Sequence, residues 1–323
     1  MNDSLFALKK LHDKDYNDEA KFRNESEQLQ RFNGLVHNHL VTLLATFTFR
    51  KQYYFLFPFA DFALDQYWES KEPKPKIDVN TVRWVSKQCS GIMAAIDTMH
   101  EPQHLQGLDV RKFGRHGDIK PDNILWFNSS NDPRGILVIS DMGLSAFNRE
   151  TSRSNIPRYS IPKVPGYRPP ECDVKGGTIS RAYDIWTLGC LFLELLTWLL
   201  GGSDFLKEFE KERKSEYING AVNNIFFALK KNKEQDGYVA QVKTEVTQVS
   251  SHIPSITLVI TFALTNSCRS GSTNCTTIKI APNSFMMLST LLRQRCSLSS
   301  LKSERDLCLG HYGSSSTPFT GSA

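Results

Sequence analysis

The stretch that decides the fold is His116-Gly-Asp118-Ile-Lys120-Pro-Asp-Asn123, near the middle of the chain. It sets a carboxylate, an ammonium group and an amide at close intervals in a proline-containing segment without an apolar run, which indicates a loop. A second carboxylate, Asp141, comes directly after the apolar run that ends at Ile139. Because one loop can direct several side chains at the same point, we expect these four polar groups to lie together.

The chemistry that these groups suit is phosphoryl transfer from a nucleotide. Asp118 would orient an acceptor hydroxyl, and Lys120 would neutralise the γ-phosphate. Oxygen atoms of Asn123 and Asp141 would hold Mg²⁺, which prefers oxygen ligands. The loop therefore predicts an ATP- and Mg²⁺-dependent site.

Upstream of the loop, we expect an ion pair that would position the α- and β-phosphates. Lys9 closes the predicted strand Leu5-Phe-Ala-Leu-Lys9, and the helix predicted over Glu19–Phe32 carries Glu25. A strand lysine held in place by a glutamate of the following helix can contact these phosphates. Glu25 is the expected partner of Lys9, and Glu27 is the alternative.

Working outward, the hydrophobic periodicity predicts strands first and helices afterwards. Further predicted elements are strands at Leu43–Phe49, Tyr53–Phe59 and Ile136–Ile139, and helices at Thr81–His100 and Tyr183–Leu200. This order is typical of an α+β fold with two lobes.

Residues 5–200 resemble a eukaryotic protein kinase of the fungal serine/threonine type. The resemblance rests on motifs in the order of the family. They are Phe6-Ala-Leu-Lys9, Glu25, the hinge Phe57-Pro-Phe-Ala60, the catalytic loop His116–Asn123, Asp141-Met-Gly143, Arg168-Pro-Pro-Glu171 and Asp184-Ile-Trp-Thr-Leu-Gly-Cys190. It implies a two-lobed kinase-like fold, with a partial N-lobe in residues 1–59 and a mainly helical C-lobe in residues 60–248.

The resemblance also implies roles for individual residues. Asp118 and Lys120 would be catalytic, and Phe57, Phe59 and Ala60 would contact adenine. Residues with structural roles would be His116, Met142, Gly143, Glu171 and Asp184. In the family, the glutamate at the position of Glu171 pairs with a buried arginine near the C-terminus, and the aspartate at that of Asp184 anchors the catalytic loop. The implied substrate is a serine or threonine hydroxyl of a protein.

One departure from the family concerns the residue before the catalytic aspartate. Gly117 stands where most protein kinases carry an arginine that pairs with an activation-loop phosphate, so control by loop phosphorylation is expected to be weaker. The basic residues Arg111, Lys112 and Arg115 fall in an insertion before the loop and are interpreted as a solvated face.

The glycine before Asp118 also leaves a second reading open. The pattern His-Gly-Asp-x-x-x-x-Asn occurs in small-molecule kinases that resemble aminoglycoside and choline kinases. Lys120, the motif ending at Glu171 and the motif beginning at Asp184 favour protein substrates.

The two ends of the sequence differ from the family pattern. No glycine precedes Gly34. The Gly-rich loop over the phosphates would therefore be missing and the sheet edge exposed, as in a truncated gene model.

Residues 249–323 are rich in serine and threonine and are expected to be a disordered tail. Synonymous codons around Gln248–Arg269 permit splice signals, so a retained intron with a shifted frame is the favoured origin of this tail.

The alternative function of the chain is that of an inactive kinase fragment or pseudokinase that acts as a binding module.

Composition excludes several classes of protein. The 40% hydrophobic and 23% charged residues are typical of a globular chain, and the net charge of +5 is too small and scattered to indicate nucleic-acid binding. No signal peptide is predicted, and the longest apolar run, Trp186–Leu200, contains Glu194 and is shorter than the roughly 18 residues of a membrane span. Seven cysteines without a Cys-x-x-Cys pair indicate free thiols. We expect an intracellular protein, cytoplasmic or nuclear, without membrane attachment.

Overall fold

The computed structural model describes residues 5–11, 18–102, 104, 112–142, 146–149, 166–174, 177, 179–232 and 237–251. The chain divides into units of residues 1–278 and 279–323, and the second lies wholly outside the described residues. The tail predicted for 249–323 lies outside them as well, apart from the last turn of a helix that ends at Ser251.

The first lobe is an antiparallel sheet with one helix against it. Strands β1 (Phe6–Lys10), β2 (Ala45–Phe49) and β3 (Gln52–Pro58) are arranged in the order β1-β3-β2, and helix α1 covers Asp18–Arg31. Lys9 is paired with Phe55 of β3. Alternation along β1 turns Ala7 and Lys9 to one face, and both line the cavity described below. Among the described residues, β1 is an edge strand.

The second lobe is mainly helical, with short antiparallel ladders between its helices. Its elements are β4 (Phe62–Ala63), α2 (Leu64–Gln66) running into a π-turn at Tyr67–Lys71, α3 (Val79–His100), β5 (Lys112–Arg115), β6 (Ile124–Ser129), β7 (Asp132–Ile139), β8 (Ala146–Arg149), α4 (Ala182–Glu212), β9 (Ser215–Glu216), β10 (Val222–Asn223), β11 (Phe227–Lys231), β12 (Tyr238–Val242) and α5 (Thr244–Ser251). Helix α3 begins at an N-cap, since Asp78 accepts a hydrogen bond from the Thr81 N–H at 2.9 Å. The two lobes together form the expected α+β architecture.

One continuous hydrophobic core joins the two lobes. It includes Phe55 of β3, Ile92 of α3 and Leu191 of α4, each fully buried. The main-chain link between the lobes runs through Val41, whose N–H donates to the Ile139 carbonyl at 2.9 Å. Packing therefore fixes the sheet with β1 relative to strand β7, which leads into Asp141.

A second core packs along α4, from Trp186 to Phe209, and surrounds a buried ion pair. The Arg213 guanidinium donates to Glu194 at 2.7 Å and lies 4.1 Å and 4.0 Å from the ring centroids of Phe209 and Phe226. The Tyr167 hydroxyl donates to the same carboxylate. Burial raises the pKa of Glu194, and the charge of Arg213 acts against this rise.

This second core corrects two interpretations of the sequence. Helix α4 continues to Glu212 rather than ending at Leu200, although Gly202 interrupts it with a φ of 73° and a ψ of −165°. A side chain there would meet the Pro73 carbonyl at 2.3 Å, so the break needs glycine. The lysines of residues 206–233 predict a solvated stretch, but Phe209 and Phe227 within it are buried.

Helix α4 is also long and apolar enough to cross a membrane, by length and composition alone. Within the described residues it is the one such helix, and 78% of its most apolar window is buried inside the protein. A buried core helix passes the same test.

Candidate active site

The predicted catalytic loop is fixed to helix α4 through a single carboxylate. Asp184, fully buried in the first turn of α4, accepts hydrogen bonds from the main-chain N–H groups of His116 and Gly117, each at 2.8 Å. The His100 Nε2 lies 2.8 Å from the same carboxylate. Burial alone would raise the pKa of Asp184, but the hydrogen bonds from His100 and the Gly117 amide hold it below its ordinary value.

His116 is fully buried beneath the loop. Its Nδ1 accepts the Asp118 N–H at 3.2 Å, so its Nε2 carries the proton and donates to the Ser140 carbonyl at 2.9 Å. The ring thus connects the loop to the residue that precedes Asp141. This position suits a structural residue, as the sequence predicts.

The catalytic-loop side chains converge on Asp118. Asn123 Nδ2 donates to the Asp118 carbonyl and to Asp118 Oδ2, both at 2.8 Å, and Lys120 Nζ lies 3.2 Å from Oδ2. Asp118 Oδ1 is buried and has no hydrogen-bond partner within the described part of the chain. An unpartnered carboxylate oxygen is an acceptor for an incoming hydroxyl. Since Asn123 uses its amide nitrogen on Asp118, its amide oxygen is the atom left for a metal ion.

Lys9 lies between two carboxylates that come from distant parts of the chain. Its Nζ is 2.7 Å from Glu25 of α1 and 2.8 Å from Asp141. Burial alone would lower the pKa of Lys9, but the two carboxylates raise it above its ordinary value, so the ammonium group stays charged at neutral pH. Glu27, the alternative partner, instead pairs with Arg31 on the surface of α1.

Asp141 has an unusual backbone conformation. Its φ of 59° lies in the left-handed region, which residues other than glycine rarely adopt. Such strain is found at functional sites, where the surrounding structure holds it in place. Here that conformation brings the carboxylate to Lys9.

A cavity of about 350 Å³ opens beside this ion pair. All three predicted hinge residues, Phe57, Phe59 and Ala60, line it, as do Lys9 and Glu25. Its walls are largely apolar, with charged groups at one end. That distribution suits a flat base with a polyphosphate attached.

Sequence reasoning missed several residues that line the cavity. They are Ala7, Leu29, Val41, Phe62, Ala63, Gln66, Leu125 and Ser140, while Pro58 lies within the predicted hinge. Strand alternation would have found Ala7, because residues two apart on a strand share a face. Nothing in the sequence around Val41 or Gln66 indicates that these residues line a cavity.

The remaining predicted residues are Met142, Gly143 and Glu171. Met142 is fully buried, and Gly143 is outside the described residues. Burial raises the pKa of Glu171 to about 7. Within the part of the chain that the structure describes, no cation lies within salt-bridge distance of Glu171. The arginine implied for it is thus not found there.

The interpretation of the basic insertion is corrected at one residue. Arg115 is 8% exposed and therefore buried, whereas the sequence indicated a solvated face. Arg111 and the side chain of Lys112 lie outside the described part of the chain.

Known proteins of similar sequence can now be set beside this geometry. The protein kinase domain model matches residues 1–256 of the chain. The chain is 28% identical over 165 residues to a probable cell division protein kinase of Encephalitozoon cuniculi, which is 50% of this chain and 51% of that protein. It is 31% identical over 115 residues to cyclin-dependent kinase 8 of Caenorhabditis briggsae, covering 35% of this chain and 18% of that protein.

Among solved structures, the crystal structure of the yeast RNA Pol II CTD kinase CTDK-1 complex matches 67% of this chain and 64% of the compared chain. The sequence identity is 25% and the TM-score 0.44. The matched stretches span about half the length of the Encephalitozoon relative and less of the Caenorhabditis one.

Proposed function

The chain belongs to the protein kinase family, and we propose that it transfers the γ-phosphate of Mg-ATP to serine or threonine hydroxyls of proteins. The observation that carries the proposal is two groups of side chains joined through Ser140, whose N–H and hydroxyl both donate to the Asn123 carbonyl. Asp118, Lys120 and Asn123 form one group, and Lys9, held by Glu25, meets Asp141 in the other.

Each residue would act through the contacts that it already makes. Asp118 Oδ1, buried and unpartnered, would accept the hydrogen bond of the substrate hydroxyl and orient its oxygen for attack. Lys120, beside the same carboxylate, would offset the charge that develops on the transferred group. Mg-ATP supplies the phosphoryl group and the ion that neutralises the phosphates.

The residues present fit Mg²⁺ and ATP. The Asn123 amide oxygen and the Asp141 carboxylate are hard oxygen ligands, and Mg²⁺ commonly takes only one or two protein ligands and completes its shell with phosphates and water. Phe57, Phe59 and Ala60 would hold the adenine in the cavity. Lys9 would exchange its bond to Asp141 for the α- and β-phosphates while Glu25 keeps it in place.

The preference for protein hydroxyls rests on Lys120 and on the motifs that end at Glu171 and begin at Asp184. An intracellular location, cytoplasmic or nuclear, agrees with the need for ATP and with the free cysteines Cys89, Cys172 and Cys190. No role in binding nucleic acid or membranes is proposed.

The test is phosphate transfer by the purified chain with Mg-ATP and casein, followed by identification of the labelled amino acid. We expect phosphoserine or phosphothreonine. Asp118→Asn should reduce the rate by roughly 10²- to 10⁴-fold, and Mg-ATP should still stabilise this variant against heat. The matched control is Asp204→Asn, which changes an exposed carboxylate that lies 3.7 Å from Lys74.

Three other outcomes would contradict the proposal. Labelling of choline or an aminoglycoside, with casein unlabelled, would identify a small-molecule kinase. Stabilisation by Mg-ATP without any transfer would identify a binding module. Equal rates in Asp118→Asn and the wild type would remove Asp118 from the mechanism.

A further inference from the structure

Strand β1 has a neighbouring strand on one side only. In the sheet order β1-β3-β2, its other edge is open within the part of the chain that the structure describes. An open edge presents main-chain N–H and C=O groups that can pair with a further strand. The edge of β1 is therefore a candidate site for strand addition.

The main-chain groups that reach this edge belong to Phe6, Leu8 and Lys10. Just beyond the strand, the Leu11 N–H donates to the Tyr53 carbonyl at 3.1 Å. Since alternate residues of an antiparallel strand bond to the same neighbour, the odd-numbered residues of β1 bond to β3. The N–H and C=O groups of the even-numbered residues point away from β3, towards the open edge.

The side chains along this edge are apolar and exposed. Phe6 and Leu8 are 55% and 54% exposed, on the face of the sheet that points away from the cavity. The same face continues to Phe47 and Phe49 of β2, which are exposed as well. Soluble proteins normally cover or charge a strand edge of this kind.

The sequence of β1, Phe-Ala-Leu-Lys-Lys, is complementary to itself when two copies run antiparallel with Leu8 opposite its own copy. Phe6 then lies opposite Lys10 of the second copy, where an ammonium group can contact an aromatic ring. Ala7 lies opposite Lys9. Within β1, no lysine faces a lysine in this register.

Other registers of the same pair are less favourable. The central residue has to be one whose amide points to the open edge, which leaves Phe6, Leu8 and Lys10. A pair centred on Lys10 places like charges directly opposite each other, and this destabilises a sheet. A pair centred on Phe6 leaves the lysine end of β1 without a partner from β1. The charges of the strand therefore favour Leu8 as the centre.

We propose that the open edge of β1 binds the same edge of a second copy of this chain, in an antiparallel pair centred on Leu8. The contact is isologous, as in the two-fold symmetric dimers that are the commonest oligomers of soluble proteins. Phe6, Leu8 and Lys10 would each donate an N–H and offer a carbonyl to the other copy. The two three-stranded sheets would then form one continuous sheet.

This dimer leaves the candidate active site intact. The Lys9 amide bonds to β3, and its side chain lies on the cavity face with Glu25 and Asp141. Because β1 has only five residues, the contact is smaller than the roughly 1,200 Å² of a stable interface. We therefore expect a reversible dimer whose population rises with protein concentration. The inference goes beyond the proposed transfer reaction and does not depend on it, since its readout is association.

The first experiment measures the mass of the full chain by analytical ultracentrifugation over a range of concentrations. Leu8→Lys and Leu8→Glu each place like charges opposite each other at the two-fold axis and should raise the dissociation constant of the dimer roughly tenfold or more. An equimolar mixture of the two variants places opposite charges there and should restore the dimer. Recovery on mixing would also show that both variants are folded.

The matched control is Phe49→Lys, together with Phe49→Glu. Phe49 is 54% exposed, as Leu8 is, and lies on the same face of the sheet but on β2, at the opposite edge. Each control variant alone should dimerise as the wild type does. A loss of association as large in Phe49→Lys as in Leu8→Lys would overturn the proposed edge.

A second experiment follows hydrogen exchange of the β1 amides at low and high protein concentration. The amides of Phe6, Leu8 and Lys10 should exchange more slowly at high concentration, whereas those of Ala7 and Lys9, bonded to β3, should not change. A chain that stays monomeric at every concentration would overturn the inference, and so would a mixture of the two Leu8 variants that fails to associate. Protection of the Leu8 amide in the monomer would overturn it too, because another segment of the chain would then cover this edge.

Discussion

At the residue scale, the candidate site depends on one ammonium group shared between two carboxylates. Lys9 bonds to Glu25 at 2.7 Å and to Asp141 at 2.8 Å. Without Glu25, only Asp141 would hold the lysine, and the same carboxylate would be needed for the metal ion. Because Glu25 holds the lysine, the Asp141 carboxylate stays available for the metal ion.

Replacing Glu25 by glutamine should lower kcat/KM for Mg-ATP by about 10- to 100-fold, since a hydrogen bond to a charged group contributes about 1.5–3 kcal/mol. The measurement is steady-state phosphate transfer at varied Mg-ATP. Glu27→Gln is the matched control, because it removes a carboxylate of the same helix, one that pairs with Arg31 on the helix surface. Equal losses in both variants would show that helix α1, rather than the ion pair, sets the rate.

The sequence could predict these residues because their chemistry is local to short motifs. Asp118, Lys120 and Asn123 lie within one loop, so their spacing alone brings them together. It could not predict the burial of Arg115, since that depends on Tyr183 and Cys172, which come from distant parts of the chain.

At the scale of elements, helix α4 serves two sites at once. Its first turn carries Asp184, which holds the catalytic loop, and Glu194, ten residues further along, pairs with Arg213. Both carboxylates are buried, and each is bonded to groups from other elements. The helix thus fixes the loop and the second core together.

Replacing Arg213 by methionine should lower the free energy of unfolding by about 3–5 kcal/mol, because Glu194 would be left as a buried charge without its partner. Urea denaturation measures this difference. The double variant Glu194→Leu with Arg213→Met should recover much of the loss, since both charges are then absent. A double variant no more stable than Arg213→Met would show that the packing of the arginine on Phe209 and Phe226 provides the stabilisation.

Elements with a strong period could be predicted from the sequence, and those held by contacts could not. Helices α1 and α3 match their predicted ranges within two residues. Strand β6 and the hairpin of β11 and β12 were not predicted; in the hairpin, the two lysines that end β11 and the short length of both strands conceal the apolar positions. The apolar positions of that hairpin become visible only in the folded structure, where Phe227 and Ala240 are buried against Trp186 and its neighbours.

At the scale of the whole molecule, Glu171 makes stability depend on pH. Its pKa, raised by burial to about 7, lies above the value of 4.5 that it would have in the unfolded chain. The folded state therefore binds more protons between these two values. The contribution of Glu171 to stability falls as the pH rises from about 4.5 to about 7, and it is constant above that range.

Replacing Glu171 by glutamine should remove this dependence and raise the free energy of unfolding at pH 8 by about 1–3 kcal/mol, after allowance for partial exposure. Urea denaturation of the wild type and the variant at pH 5 and pH 8 gives the comparison. Glu208→Gln, on the exposed face of α4, is the control. A loss of stability at pH 8 would reveal a cationic partner for Glu171, of the kind that the family resemblance implies.

The two-lobed α+β order could be predicted from strands that precede helices, because that order limits how layers can pack. The continuity of the core across the lobes could not be predicted from the sequence. It depends on contacts between distant residues, such as the hydrogen bond from the Val41 N–H to the Ile139 carbonyl. The same holds for the cavity, whose walls come from both lobes.

The bonds from Asp184 to the His116 and Gly117 amides have one more consequence. Surface loops usually open locally at little free-energy cost, while core helices open only when the whole domain unfolds. Here a loop segment is tied by its main chain to a fully buried carboxylate in the central helix. These two amides should therefore exchange their hydrogens with solvent as slowly as the helix does, and the loop behaves mechanically as part of the core.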